Sequence, residues 1–448
     1  MENRTRPRTP VQLTCGGWFA GLAVLGLLSL GLPACGGGEK APSTASASAS
    51  PEPPALAASS APVLGPDPAP AGDPVGAGYS SVISAKSDKS GCNAADFQVA
   101  EYLMRGELTV AGRPRAGSAS DKKPEFTASW LVKLKDNRSQ IGFAGYDHLA
   151  RRVARDRGIG NAKEHAPKLF ATDDQWTVVW FDDEGLAYAH PTFDPNEKPS
   201  IEHLGAAKGV DPNEVAFNHT PDGSLIVASH VGPQGDQLSV FLFAPSAQGQ
   251  TARAIGLTKA AKKPRFPAVT ADEAGYTLAW LEEDQRIVST RLDTKGDQQG
   301  SGATIAGPSE KRSSLALTQV KGGSLLTWAE GDRILARKLD ASAKATGDIV
   351  VVGSGKHPVV ISSGDDAIVT FLAKVEDSES QMIAVRVSGA AVVSPQAVRI
   401  SDGNKPVLDP PAIALGGSRL AGAWTEVMGA TISSKRAWLR VIDAACLK

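Results

Sequence analysis

Beyond about residue 95 the chain alternates apolar and polar residues in short runs separated by turn-forming residues. Arg286-Ile287-Val288-Ser289-Thr290-Arg291-Leu292-Asp293 is one such run, and Arg333-Ile334-Leu335-Ala336-Arg337-Lys338-Leu339-Asp340 is another. A period of two places alternate side chains on opposite faces of a strand, and no stretch carries a convincing helical period. A ring-bearing residue recurs in the more apolar runs. Trp130, Trp180, His230, Trp280, Trp328, Phe371 and Trp424 lie 50, 50, 50, 48, 43 and 53 residues apart, with His230 placed by spacing alone. Four of these marks have a proline 13 residues upstream: Pro167, Pro267, Pro358 and Pro411. Turn residues stand between, as in Asp272-Glu273-Ala274-Gly275 and Lys321-Gly322-Gly323. After the mark come an acidic turn, a second alternating run and a shorter β-like stretch such as Ala303-Thr304-Ile305-Ala306.

Each unit therefore reads as four short strands in about 40–50 residues, the length of a propeller blade. One four-stranded sheet buries neither face; a ring of stacked sheets buries both. The expected fold is all-β, a seven-bladed β-propeller over residues 92–448, with six or eight blades as alternatives. The tryptophans are expected to pack between blades, the alternative being a sugar-stacking role. The last repeat stops after its third strand, Arg436 to Asp443, and a spare β-like segment, Phe97 to Ala111, precedes the first repeat. If the spare segment supplies the missing outer strand, the ring closes and Cys92 comes beside Cys446. A Cys92–Cys446 disulfide is the economical reading in an oxidising compartment, against two free buried thiols.

This pattern resembles secreted bacterial propellers of the sialidase-like and kelch-like kind over roughly residues 95–448. It lacks the Trp-Asp dipeptide of WD40 repeats and a regular Gly-Gly pair. Thr270-Ala271-Asp272-Glu273-Ala274-Gly275-Tyr276-Thr277 only faintly echoes the Asp-box of sialidases. The resemblance implies architecture and hardly bears on activity.

The N-terminal part changes the picture. Arg4, Arg6 and Arg8 precede an uncharged apolar run from Trp18 to Leu32, which has the order of a secretory signal and is short for a membrane span. Leu32-Pro33-Ala34-Cys35 resembles a lipobox. Residues 1–34 are thus expected to be a lipoprotein signal peptide, and Cys35 the acylated residue that ties the chain to a membrane. Gly36, rather than aspartate, follows it, which under the usual sorting rule implies an outer-membrane lipoprotein on the periplasmic side or the cell surface. Residues 35–91 are rich in Ala, Pro, Ser and Gly and read as a disordered tether.

Charge and chemistry narrow the function. Removing residues 1–34 takes three arginines and one glutamate from 47 bases and 48 acids, leaving 44 against 47. A mature charge of −3 gives no reason to expect nucleic acid as a partner. The seven histidines are scattered without metal-ligand spacing, no nucleophile elbow or P-loop stands in context, and none of the five tyrosines sits in a sialidase-like setting. No catalytic residue, metal or cofactor is assigned. Two charge patterns remain. Asp182, Glu282, Glu330 and Glu426 each follow a mark by two residues, while Lys163, Lys263, Lys311, Lys356 and Lys405 precede the first strands. On a propeller both sets emerge on one face, giving an inner basic ring inside an outer acidic one. The bland reading is solvated loop charge. The sharper one is a recognition face for an anionic group, with Lys263, Arg265, Lys311, Arg312 and Lys356 as candidates. The expected function is a membrane-anchored, non-catalytic binding or scaffolding propeller of the cell envelope, monomeric, whose partner is an envelope protein or an anionic glycan. The alternative is a carbohydrate-active enzyme, a glycoside hydrolase or lyase on the same fold.

Overall fold

A computed structural model describes residues 81–85 and 92–448, less several loop stretches, the longest being 115–122, 245–250, 257–262 and 428–434. All described residues belong to one compact unit, 64–448. The expected signal peptide 1–34, Cys35 and most of the 35–91 tether lie outside them.

The strands form seven sheets in chain order. Blades 1 to 6 span residues 108–162, 168–203, 215–256, 265–306, 312–354 and 356–399, and blade 7 combines 412–443 with the early strand Ala95–Leu103. The innermost strands touch their neighbours all the way round, that of blade 7 meeting that of blade 1, so the ring is closed. The second and third strands are buried on both faces, which explains why Gly275–Leu281 reads as an almost unbroken apolar run, whereas the outer strand Gln298–Ala306 is largely exposed.

Seven apolar clusters fill the seven seams between blades, and the marks account for six of them. All seven marks lie on second strands. Each described ring packs toward the preceding blade: Trp180 against Ile141, Phe143 and Ile159; Trp280 against Ile226 and Val240; Trp328 against Ala279 and Ile287; Phe371 against Leu325 and Ile334; Trp424 against Ile368 and Met382. Trp130 packs against Ala421, Leu439 and Val441 of blade 7, across the closure. The seam between blades 2 and 3, where spacing puts His230, is filled by Phe181 and Tyr188 on one side and Val227, Phe241 and Phe243 on the other. The third strand supplies the bulk there.

The proline signal also has a structural basis. Phe266, Ser314 and His357 occupy equivalent positions, 14 residues before their marks, and all have positive φ. Pairing of the first with the second strand slips at each of these points. Pro267 and Pro358 follow directly, where a bulge leaves no ladder hydrogen bond for a proline to lose. In the tight turns after Asp272 and Val320, Gly275 and Gly323 have positive φ and a Cβ would collide with the carbonyl of Leu292 or Leu339, so the turn requires glycine.

Closure follows the expected logic with one refinement. Only the first half of the spare segment, Ala95–Leu103, serves as the outer strand of blade 7, antiparallel to Lys435–Asp443. The second half begins blade 1 as Leu108–Gly112. Asp96 faces Arg440 in this pairing and binds its guanidinium through both carboxylate oxygens. Arg440, fully buried, also donates to the carbonyl of Ile400 and lies over the Trp424 ring. Cys92 and Cys446 form a disulfide across 354 residues with Cα atoms 5.4 Å apart. The carboxylate of Asp443 caps the short turn Ala444–Leu447 that presents Cys446.

The described residues 81–85, within the expected tether, include a strand. Val82–Ser84 adds a strand, parallel, to the outer edge of blade 6 at Ala397–Arg399. Val82 and Ile83 each pack against a seam cluster, and Ala85 is buried. Val82 and Ile83, adjacent and therefore on opposite sides of the strand, give this piece apolar surface to bury on both faces, and its pairing covers an open sheet edge.

Candidate functional site

We call proximal the face on which the chain enters each innermost strand. The entering loop and the turn between second and third strands lie side by side there, as expected. Lys163 N donates to the Phe181 carbonyl at 2.7 Å and Gly331 N to the Lys311 carbonyl at 3.0 Å, while Lys405 Nζ reaches the Val427 carbonyl at 3.2 Å.

The candidate cations stand in four different environments. Lys263 pairs with Glu283 at 2.5 Å and Lys163 faces Asp183 at 3.9 Å, all largely exposed. Arg265 reaches across to blade 3, where Nε and a terminal nitrogen both donate to Glu214 at 2.9 Å. Arg312 is almost buried: it binds Glu330 at 2.6 Å, donates to the carbonyls of Gln285 at 3.2 Å and Gly307, and lies over the Trp328 ring. Arg312 therefore braces blade 5 against blade 4. Lys311 and Lys356 are exposed, and neither forms an ion pair among the described residues. The structure thus brings Lys263, Arg265, Lys311 and Lys356 to neighbouring loops of blades 4 to 6, with Arg312 beneath them.

The four acids that follow the marks do not form an outer solvated ring. Glu282 and Glu426 are buried, and Asp182 and Glu330 largely so. Glu426 accepts the indole N–H of Trp424 at 2.9 Å and that of Trp438 at 3.1 Å. Asp182 accepts from the backbone N–H groups of Glu184 and Gly185 and pairs with His203 at 2.8 Å. On a strand, residues i and i+2 share a face, so an acid two positions after a buried ring is carried into the same seam. That signal was present in the sequence. The solvent-facing acids are the next in line, Asp183, Glu283 and Asp284. Burial pushes the Asp284 carboxyl up, but the hydrogen bonds and charge of Arg286 outweigh it and hold the group below the ordinary carboxylate range.

At the proximal mouth of the channel lies a cavity of about 390 Å³, walled by Leu108–Val110 of blade 1, Pro167 and Lys168 of blade 2, Val215 of blade 3, Val359 of blade 6 and Pro410–Ile413 of blade 7. A second cavity of about 340 Å³ continues along the innermost strands past Phe170, Phe217, Ala268 and Leu317. Lys168 lines both and His165 the first, and among the described residues neither lining holds a carboxylate. The paired acids that would favour glycoside hydrolysis are not found at the axis among these residues.

Sequence reasoning missed a third cavity, about 570 Å³, on the opposite or distal face between blades 1 and 2. Its one sequence signal is Trp176, a tryptophan out of register with the repeat.

Fold and faces together define a seven-bladed β-propeller. No family model and no curated protein sequence matches the chain. Among solved structures, it is similar to an Aleuria aurantia lectin mutant in complex with α-methyl-L-fucoside, at 13% identity over 65% of this chain and 95% of that one, with a TM-score of 0.42. It is also similar to a subtype N11 neuraminidase-like protein of a flat-faced bat influenza virus, at 10% identity over 82% and 96% and a TM-score of 0.42. A protein of unknown function from Dyadobacter fermentans matches at 12% identity over 78% and 99%, with a TM-score of 0.43. Likenesses this distant say nothing of what this chain binds.

Proposed function

We propose that the chain is a lipid-anchored, non-catalytic binding or scaffolding propeller of the cell envelope, held by acylated Cys35 on a flexible tether and presenting its proximal face to an anionic partner. The anchor rests on the charged start, the apolar run and Leu32-Pro33-Ala34-Cys35. The observation that carries the binding role is the grouping of Lys263, Arg265, Lys311 and Lys356 on adjacent loops of the proximal face. Exposed ion pairs such as Lys263–Glu283 are worth only about 0–1 kcal/mol, so an incoming anion competes for the lysine at little cost. Arg312 acts beneath them as a positioning residue.

Two measurements test this reading. Cys35→Ser should move the protein from the membrane fraction to the soluble fraction and abolish palmitate labelling; an unchanged distribution rejects the anchor. Charge reversal at Lys311 and Lys356 together should abolish cross-linking to the partner that the unaltered protein captures in envelope extracts, and undiminished capture rejects the proximal face. Release of reducing sugar from envelope polysaccharide by the purified protein would instead favour the enzymatic alternative.

A further inference from the structure

On the distal face the third strand of a blade connects to its fourth. Among the described residues four large apolar side chains are exposed, Leu149, Val153, Ile201 and Val393, and all four stand at such connections. Leu149 and Val153 lie in blade 1, between Ser139–Tyr146 and Arg157–Ala162. Val153 N donates to the Gly145 carbonyl at 2.9 Å, which holds it beside the end of the third strand. Val393 lies in the connection of blade 6, where its N–H donates to the Arg386 carbonyl at 3.0 Å. Ile201 opens the fourth strand of blade 2, level with Ala189 at the end of the third. Blades 6, 7, 1 and 2 are consecutive round the ring, so these residues share one arc of one face. The equivalent connections of blades 4 and 5 carry Thr294, Lys295 and Asp297 or Ala341, Ser342 and Lys344, with no large apolar residue.

The chain reaches the ring from the same side. Val82–Ser84 runs parallel to Ala397–Arg399, the fourth strand of blade 6, and fourth strands run from the distal face to the proximal one. Ala397 N donates to the Ser81 carbonyl at 2.7 Å and Ala85 N to the Arg399 carbonyl at 3.1 Å, which fixes this direction. Ser81 is therefore approached from the distal side, on the blade that carries Val393. Exposed apolar side chains scattered singly need no explanation. Their grouping on the arc where the chain arrives does.

Given Cys35 as the acylated anchor, we infer that the distal rim of blades 6, 7, 1 and 2 rests on the membrane surface. Leu149, Val153, Ile201 and Val393 enter the boundary between headgroups and acyl chains. An anchor upstream of Ser81 holds this edge at high local concentration near lipid, so a small apolar area suffices where a free protein would not bind. Charge contributes little. Exposed Arg151 pairs with Asp147 at 2.7 Å, Arg152 lies over the Phe97 ring, and Asp194, Glu197 and Lys198 precede Ile201. The proximal cations then face away from the bilayer, toward their partner.

The test uses the mature acylated chain in vesicles of phosphatidylethanolamine and phosphatidylglycerol. With Cys35 acylated and Cys92 joined to Cys446, an added cysteine is its one free thiol. A fluorophore is placed at Val153→Cys or Val393→Cys, and for comparison at Thr294→Cys on distal blade 4 and Asp183→Cys on the proximal face. Nitroxide-bearing lipid should quench the labels at 153 and 393 at least about threefold more than the other two, and aqueous iodide should show the reverse order. Leu149→Ser with Val153→Ser should shift the label at 393 about tenfold toward the undocked form, with an unchanged unfolding midpoint. Added salt should leave docking in place. Equal iodide access at all four labels on vesicles that carry the protein overturns the docking and leaves the anchor standing. Stronger lipid quenching at 183 than at 153, release by salt, or no effect of the double serine variant also overturns it. A chain that does not float with the vesicles loses anchor and docking together, and the Lys311/Lys356 reversal still decides the proximal reading.

Discussion

The tryptophans of the seams do unequal work, and the difference lies in one nitrogen. Trp424 donates to Glu426, while the buried indole nitrogen of Trp280 meets no acceptor among the described residues. Replacing either by phenylalanine removes similar volume. At position 424 it also deprives a buried carboxylate of a hydrogen bond; at 280 it removes an unsatisfied donor. Trp424→Phe should therefore lower stability by about 1–3 kcal/mol more than Trp280→Phe, as read from denaturant midpoints. Asp366 offers a second test. The Ser388 hydroxyl and then Arg386 hold its carboxyl below the ordinary range. A carboxylate depressed in the fold contributes stability that is present above its unfolded pKa and lost as pH falls through the folded value. Unfolding midpoints followed from pH 7 down to pH 3 should thus fall less steeply for Asp366→Asn than for the unaltered protein, and superimposable curves would refute the assignment.

Among the elements, the early strand Ala95–Leu103 carries the most consequence, because it alone completes blade 7. Its hold on Lys435–Asp443 combines ladder pairing with the ion pair between fully buried Arg440 and the more exposed Asp96. Removing Asp96 leaves the buried Arg440 guanidinium without its counter-ion, and Asp96→Ala should cost about 3–5 kcal/mol, measurable by equilibrium unfolding. Hydrogen exchange should then quicken first in blade 7 and at its seam with blade 1, where Trp130 packs on Leu439 and Val441. The added strand Val82–Ser84 is an edge cover rather than a closure. Its deletion should expose the edge of blade 6 and raise aggregation more than it lowers stability.

For the whole molecule the closed ring is the source of rigidity, since every seam cluster is shared by two blades and none is left open. The Cys92–Cys446 disulfide joins the two ends of this ring. Converting both cysteines to serine should cost about 2–5 kcal/mol, with reductant lowering the unfolding midpoint of the parent but not of the double variant. The ring also separates two faces. Loops that enter the innermost strands gather the proximal cations, and loops at the other end of the same strands frame the distal pocket of blades 1 and 2.

Spacing of Trp130, Trp180, Trp280, Trp328, Phe371 and Trp424 pointed to seven blades, with six or eight still open, and placed each ring on a second strand, because a sheet buried on both faces must repeat its bulk at each turn of the wheel. The incomplete last repeat likewise foretold the borrowed strand and the paired cysteines. Which charges face water was legible only in part. The two-residue step from Trp424 to Glu426 already implied burial, yet Arg312 differs from Lys311 only by its reach to Glu330 and two carbonyls, contacts that span blades. For the distal pocket the chain offered only Trp176, out of register with the repeat. Phe143, Trp176 and Phe193 come from two blades and meet only because Arg157 ties one loop to its neighbour. Periodicity along the chain reports what one strand buries; a pocket between blades depends on how loops distant in sequence are docked, and only the closed ring decides that.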